Sequence, residues 1–258
     1  MNPFPPNDTG PVIELLRFTA ARGHRADLAR RFDEVHAPAF QQLGGVAIGH
    51  FCERDRPGSV AWLRGFRTHA ARTRITRAFD AQAPVAAEGA GVLLLRALHP
   101  GSALTLPPIA NDAGGIVVAH ILYVEAGLLG ACARAAEACF AAYHGRGVIE
   151  AGILVTHDEH GPAPGWASPG RALPGRAFPG RAFPGRASPG AVLVWLGIVC
   201  DDAALAGLRP ALDNAAGALA ANGLLAAPGE VLVLDPCRRS RLRWVSAASV
   251  TAPAMAAA

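Results

Sequence analysis

One pattern occurs twice along this chain of 258 residues. The β-rich segment VAWLRGF at 60–66 is matched by VLVWLGI at 192–198, and both centre on a Trp-Leu pair. Each segment follows signals for a strand, a helix and a strand, and each precedes a helix and a last strand. Two such β-α-β-β-α-β units can bury their sheets against each other. The sequence therefore predicts an α+β fold in which two tandem ferredoxin-like halves pack sheet to sheet as an α/β barrel.

Composition shifts divide the chain into a first half at 11–99, a linker at 100–114 and a second half at 115–242. The linker, PGSALTLPPIANDAG, carries Pro and Gly without periodicity. Apolar runs predict strands at 12–18, 46–52, 60–66 and 91–98 in the first half, and at 116–124, 148–155, 191–199 and 230–234 in the second.

The first predicted helix has a regular apolar spacing. Its repeat of four, three and four residues would place one side of the helix on the sheet, through Leu28, Phe32, Val35 and Ala39. Gly44 and Gly45 then end this helix. Thr68 has the residue type and position of an N-cap for a second helix that ends near Phe79.

A five-residue period of the form ALPGR or AFPGR interrupts the second half. We expect the insert at 158–190 to be a disordered surface loop between two strands, because no residue set in it can form a core. An Arg-bearing tether for anionic partners is the alternative. Deleting Pro169 to Gly190 is expected to leave folding intact.

The charge of the chain argues against nucleic-acid binding by the folded part. The formal net charge is +4, from 24 basic and 20 acidic side chains. Four arginines lie in the repeat, and without them the remaining charges balance. The longest apolar run, at 115–133, contains His120, Glu125 and several glycines, which favours a buried strand leading into a helix over a membrane span.

The cysteines indicate a cytoplasmic protein. There are five of them, Cys52, Cys132, Cys139, Cys200 and Cys237, without CxxC spacing. An odd number in mainly apolar segments predicts reduced, buried thiols and neither a disulfide framework nor a zinc site. No motif in the chain indicates a metal ion or a cofactor, and no secretion signal is visible at the N-terminus.

Four segments together resemble the NIPSNAP family. They are VIELLRF at 12–18, GVAIGHF at 45–51, a strand-to-helix unit with Trp62, Arg64, Phe66, Arg72 and Phe79, and a tail, LVLDPCRRSRL, with Pro236, Arg239 and Ser240. In that family a Phe-Pro-x-Leu-Pro-x-Arg segment precedes a Val-Trp strand, and here the repeats precede the strand that contains Trp195.

The resemblance implies a dimeric α/β barrel without a settled activity. Related barrels include cofactor-free oxygenases, haem-degrading enzymes and stress-response proteins, so the fold does not decide between them. We expect binding of a small molecule or a protein partner, and a homodimer stays open. The alternative is a cofactor-independent oxygenase or isomerase acting on an aromatic or anionic substrate between the sheets. No residue is assigned a catalytic role.

The predicted binding residues are Glu14, Arg17, His50, Trp62 and Arg64. Glu14 and Arg17 are three residues apart on one strand and so face opposite ways. If His50 is in register with Trp62, then His50, Trp62 and Arg64 would line a pocket between the sheets. In the competing and preferred interpretation Trp62 is core and Arg64 pairs with a carboxylate such as Glu14. A cavity of at least about 300 Å³ lined by Arg64 and His50 would favour the pocket.

Overall fold

Eight apolar runs rich in Val, Ile and Leu form antiparallel strands. The computed structural model describes residues 11–19, 25–56, 58–82, 88–106, 114–157 and 191–244. The strands are β1 (Val12–Thr19), β2 (Val46–Glu53), β3 (Ser59–Phe66), β4 (Glu88–Ala97), β5 (Ile116–Tyr123), β6 (Val148–Thr156), β7 (Val192–Val199) and β8 (Glu230–Pro236). The helices are α1 (Arg25–Arg31), α2 (Ala37–Gln42), α3 (His69–Gln82), α4 (Leu129–Phe140) and α5 (Asp202–Ala221). The predicted insert and linker residues 107–113 lie outside the described residues.

The strands close into one barrel, which confirms the predicted fold class. Their order is β1-β3-β2-β8-β5-β7-β6-β4, so each half has the ferredoxin-like arrangement with its first and third strands at the centre. The halves meet at two short seams. Three residue pairs join β2 to β8, and three join β4 to β6. The two sheets therefore face each other and also share hydrogen bonds at their edges, which removes open sheet edges.

Alternation along each strand separates two apolar layers. One face fills the barrel interior, with residues such as Leu15, Leu63 and Leu232. The other face packs under helices, with Trp62 in the first half and Trp195 in the second. Both faces of nearly every strand are consequently buried, and an eight-stranded barrel has an interior that side chains can fill.

The first helical region does not present the predicted face. Phe32 and Phe40 are buried as expected for the core, but Val35 is 47% exposed. A π-helical turn at Phe32–His36 separates α1 from α2 and adds a residue to one turn of the helix. It moves Val35 outward and brings His36 into the buried layer. The prediction that Val35 lies on the sheet is wrong for this reason.

Other local predictions are confirmed. Gly44 ends the first helical region with a φ of +92°, a conformation that favours glycine. The hydroxyl of Thr68 accepts a hydrogen bond from the Ala71 backbone N–H at 3.0 Å, as an N-cap does. Within the described part of the chain, no helix combines the length and the apolar character that crossing a bilayer requires.

The chain continues past β8 alongside β2. The Cys237 N–H donates to the His50 carbonyl at 2.8 Å, and the Arg241 N–H donates to the Ile48 carbonyl at 2.9 Å. Ser240 is buried, and its hydroxyl donates to the Leu242 carbonyl at 3.3 Å. The tail predicted from the Pro-x-x-Arg-Ser pattern thus extends the seam between the two halves.

Candidate functional site

A β-bulge decides the direction in which His50 points. The pairing of β2 with β3 shifts between Ala47 and Gly49, after which His50 lies directly opposite Trp62. A side chain at Gly49 would meet the ring of Phe51 at 2.4 Å and the Ser240 hydroxyl at 2.6 Å, so the bulge requires glycine. His50 and Trp62 therefore share one face of the sheet, which is the register that the sequence left open.

That face is the outer one, under the helices. Trp62 belongs to the cluster that includes Phe32 and Phe40 from the first helical region, while its neighbours Ala61 and Leu63 fill the barrel interior. Placing His50, Trp62 and Arg64 between the two sheets was therefore wrong. The residues do come together, but in the layer between the first sheet and its helices.

Arg64 and Glu14 form a buried ion pair. Glu14 is 1% exposed and lies opposite Arg64 across β1 and β3. Arg64 Nε donates to Glu14 Oε2 at 2.5 Å, and Arg72 of α3 donates to Glu14 Oε1 at 2.6 Å. The Arg64 guanidinium also stacks 4.9 Å from the Trp62 ring. This is the pairing that the competing interpretation predicted, and it occupies the guanidinium of Arg64.

Arg17 faces the opposite way from Glu14, as predicted. It enters one end of the barrel interior, where its guanidinium donates to Glu53 at 2.6 Å and to Glu230 at 2.8 Å. The Tyr123 hydroxyl donates to the second oxygen of Glu230 at 3.2 Å. The five predicted binding residues thus divide between two layers, and Arg17 does not join the other four.

A small cleft lies beside His50. Its lining is a mixture of small, aromatic and charged residues: Asp33, Ala37, Ala47, Gly49, His50, Trp62 and Arg239. We call it the His50 cleft. Its empty volume of about 200 Å³ consists largely of the open mouth, and the enclosed part has room for about one water molecule. This is far below the roughly 300 Å³ typical of drug-sized ligand sites, and Arg64 does not line the cleft. The size expected for a pocket lined by Arg64 and His50 is not reached.

His50 is neutral at physiological pH. Burial, together with the nearby Arg243 guanidinium, lowers the pKa of its imidazole to about 4. Asp33 Oδ1 lies 3.9 Å from His50 Nδ1, within range of an ion pair but too far for a hydrogen bond. Burial outweighs the attraction of this carboxylate, because the ring of Phe32 covers the imidazole with 4.1 Å between centroids.

The second ring nitrogen of His50 lacks a hydrogen-bond partner. Among the described residues, no protein atom bonds to His50 Nε2, which is buried. Buried polar atoms in folded proteins almost always have partners. A neutral imidazole can accept a hydrogen bond at one nitrogen and donate at the other. The histidine that lines the cleft therefore carries an unused hydrogen-bonding atom beside an aromatic wall.

Sequence reasoning missed the role of Asp33. It falls on the polar side of a regular helix, but the π-helical turn brings it into the cleft with 9% exposure. Its carboxylate accepts the Arg239 backbone N–H at 3.1 Å and so joins the tail to the first helical region. Arg239 itself was predicted only as part of the tail, and it is exposed at the cleft rim. No sequence signal marks a π-helical turn.

The other predicted motif residues are structural. Phe79 of α3 packs at a tilt against Trp62, with 5.4 Å between ring centroids. Pro236 lies opposite Phe51 at the seam of β2 and β8. Trp195 is fully buried in the second half, and its indole N–H donates to Glu150 at 2.8 Å. These contacts hold α3 on the barrel, join the halves at a seam and link the neighbouring strands β6 and β7.

Known structures share the fold of this chain. A candidate monooxygenase from Lactobacillus acidophilus superposes with a TM-score of 0.52 at 10% identity, over 88% of this chain and 94% of its own. An anthrone oxidase-like protein reaches 0.56 at 12% identity, over 89% and 92%. A candidate monooxygenase from Fusobacterium nucleatum reaches 0.55 at 9% identity, over 92% and 99%.

The likeness is one of architecture. No family of known proteins and no curated protein matches the sequence. At 9–12% identity the shared feature is the fold, an α+β barrel made of two ferredoxin-like halves. Any activity of this chain must therefore be argued from its own cleft.

Proposed function

We propose that the protein is a NIPSNAP-like barrel that binds a small planar molecule carrying a hydroxyl group in the His50 cleft. The observation that carries this proposal is the buried His50 Nε2 without a partner among the described residues. Leaving such an atom unpaired costs about 1–3 kcal/mol, and a ligand hydroxyl that bonds to it would recover that free energy.

The lining of the cleft narrows the class of ligand. Trp62 and Phe32 provide aromatic surface next to the imidazole, and Ala37 and Ala47 leave room beside it. The exposed Arg239 supplies a positive charge at the rim. An aromatic hydroxy acid fits this arrangement, with its hydroxyl toward His50 and its carboxylate toward Arg239. The enclosed space has room only for the hydroxyl group, so the ring would lie over the open mouth of the cleft.

The low basicity of His50 favours a binding role over a catalytic one. A general base is most effective when its pKa lies near the operating pH. The His50 pKa is about 4, so this imidazole accepts a hydrogen bond at neutral pH but removes a proton poorly. Arg64 is also held by Glu14, so it does not contribute a charge to the cleft.

The second candidate function is a cofactor-independent oxygenase or isomerase. A neutral histidine beside an aromatic wall could take a proton from an acidic substrate hydroxyl, and two of the three barrels named above are described as candidate monooxygenases. Under either function the protein could also act as a homodimer, packing through its outer helices.

Thermal shift assays with 4-hydroxybenzoate, a naphthoquinone and haem test the proposal. At a ligand concentration one hundred times Kd, the parent protein should be stabilised by about 2.7 kcal/mol. The same ligand should give no shift with His50→Ile. The matched control is His120→Leu in the second half, which should respond to the ligand as the parent does.

Two results would speak against binding in the cleft. One is a parent protein whose melting temperature none of the three probes changes. The other is a ligand shift that persists in His50→Ile. Oxygen consumption and product formation with the stabilising probe then separate the two functions, because turnover supports an enzyme and binding without turnover supports a receptor.

A further inference from the structure

Two cysteines face each other across the seam between the halves. Cys237 directly follows β8, and its N–H donates to the His50 carbonyl at 2.8 Å, so these two residues lie opposite each other. Cys52 is two residues beyond His50 on β2 and lies opposite Asp235. Because side chains alternate along a strand, Cys52 and Cys237 project from the same face as diagonal neighbours.

The two thiols are close enough to interact. The Cys237 thiol is hydrogen-bonded to that of Cys52. Cys52 is buried with 9% exposure, and Cys237 is half-buried, so a small oxidant can reach the pair from the Cys237 side. A disulfide between diagonal side chains forms only when their Cβ atoms can approach to about 4 Å. Two thiols that are in contact can meet this condition.

The remaining cysteines are not placed for such a bond. Cys132 and Cys139 lie on α4 seven residues apart, which separates their Cα atoms by about 10 Å along the helix. A disulfide needs Cα atoms less than about 7 Å apart. Cys200 is exposed after β7 and is suited to bonds between molecules.

We propose that Cys52 and Cys237 are an oxidation site that forms a disulfide across the β2–β8 seam. With hydrogen peroxide as oxidant, one thiolate attacks a peroxide oxygen and becomes a sulfenic acid, and one water leaves. The second thiolate then attacks the sulfenic sulfur, a second water leaves, and the S–S bond forms. Two thiols lose two electrons and two protons in total, and the peroxide accepts both.

The disulfide would strengthen the seam between β2 and β8. Only three residue pairs join β2 to β8, and the disulfide would add a covalent link between the first and second halves beside them. A cross-link between residues so distant in sequence restricts the unfolded chain strongly. Oxidised protein should therefore melt at a higher temperature than reduced protein.

The thiol environment sets the rate of oxidation. The hydrogen bond with Cys52, together with burial, raises the pKa of the Cys237 thiol well above its usual range. Since the thiolate is the reactive form, oxidation should be slow at neutral pH and should accelerate as the pH rises.

Peptide mapping of the full chain with Cys200→Ser tests the proposal. Cys200 is replaced because trypsin does not cut between Arg209 and Pro210, which would otherwise leave Cys200 and Cys237 on one peptide. After treatment with hydrogen peroxide at pH 8.5, the count of thiols in denaturant should fall from four to two. The peptide covering 32–54 should be joined to that covering 187–238.

Two further variants sharpen the result. Cys139→Ser in the same background should keep the linked peptides, and Cys237→Ser should lose them. Four remaining thiols after peroxide treatment would overturn the proposal, as would a link from Cys237 to any cysteine other than Cys52. Because the map of the Cys200→Ser protein decides by itself, a folding defect in Cys237→Ser would not obscure the outcome.

Discussion

The two halves of the barrel place a tryptophan at the same point of the sheet but surround it differently. In the first half Trp62 has His50 opposite it on β2. In the second half Trp195 has Ile153 at that position, and its histidine, His120, stands on the other side, on β5. Both second strands reach this point after a bulge, at Ala47/Gly49 and at Glu150/Gly152.

In the described part of the chain, the polar side chains next to Trp195 have hydrogen-bond partners, whereas one next to Trp62 does not. His120 Nδ1 and the Tyr143 hydroxyl are 3.3 Å apart, and the Trp195 N–H bonds to Glu150. His50 Nε2 has no such partner among the described residues. The two tryptophan layers thus differ by one unused hydrogen-bonding atom, and this difference is why we propose the site in the first half.

The two halves also differ in the charged residues beside the tryptophan. Glu14 and Arg64 pair under α3, whereas Val118 and Gly197 pair at the matching position of the second half. A side chain at Gly197 would lie 2.1 Å from the ring of Trp195, so the indole occupies the space that Arg64 fills in the first half. At this position the second half is therefore apolar where the first half carries an ion pair.

Among the changes that test this comparison, breaking the buried ion pair should have the largest effect on stability. Glu14→Gln leaves Arg64, which is 4% exposed, without its counter-charge. Removing one partner of a buried pair costs about 3–5 kcal/mol. Urea unfolding should show this loss. The matched control is Asp27→Asn, which removes the exposed ion pair with Arg30 and should change stability by less than about 1 kcal/mol. A loss in Glu14→Gln as small as that of the control would contradict the buried pairing.

Acid should destabilise both halves through their buried histidines. The pKa values of His50 and His120 are about 4 in the folded protein and near 6.5 when unfolded, so below pH 6.5 the unfolded chain binds more protons. Stability is therefore full above about pH 6.5 and falls toward pH 4, by roughly 2 kcal/mol per histidine between pH 7 and 5. His50→Ile should reduce the difference in urea stability between these pH values by that amount. An unchanged difference would mean that His50 is charged in the folded state.

Replacing each histidine by the residue at the matching position of the other half should change the stability of the protein in opposite directions. His120→Leu, which matches Leu16 of the first half, leaves the Tyr143 hydroxyl without its partner and should cost about 1–2 kcal/mol. His50→Ile, which matches Ile153, removes an unpaired buried nitrogen and should be neutral or stabilising by about 1 kcal/mol. Thermal unfolding at pH 7 measures both. Equal losses in the two variants would show that His50 is as well bonded as His120.

The smallest effect is expected from the repeat between β6 and β7. Removing Pro169 to Gly190 leaves a connection that can still join the strands, and a shorter loop costs less entropy to close, by roughly 1 kcal/mol at most. A cooperative melt at an equal or slightly higher temperature is therefore the expected result. Loss of the cooperative transition would show that the repeat contributes to the fold.

The sequence predicted the positions of the strands well, but it did not predict which face of each strand points into the barrel. All eight strands were expected from their apolar runs, and the halves were expected to pair. The runs could not say whether Trp62 or Leu63 enters the barrel, because the interior and the helix-covered layer are both apolar. The direction of His50 depends on the bulge at Ala47/Gly49, and the position of Asp33 in the cleft depends on the π-helical turn. A glycine inside the strand is a sign of a bulge but does not fix the register, and the π-helical turn comes from tertiary packing without a pattern of its own.

The central claim is that the site lies over Trp62 on the outer face of the first half. NMR of ¹⁵N-histidine-labelled protein, titrated with 4-hydroxybenzoate at pH 7, tests it most directly. We predict that the His50 Nε2 resonance shifts with saturation while both nitrogens of His120 stay unchanged. An unchanged His50 resonance, together with shifts at His120, would contradict the assignment of the site to the first half.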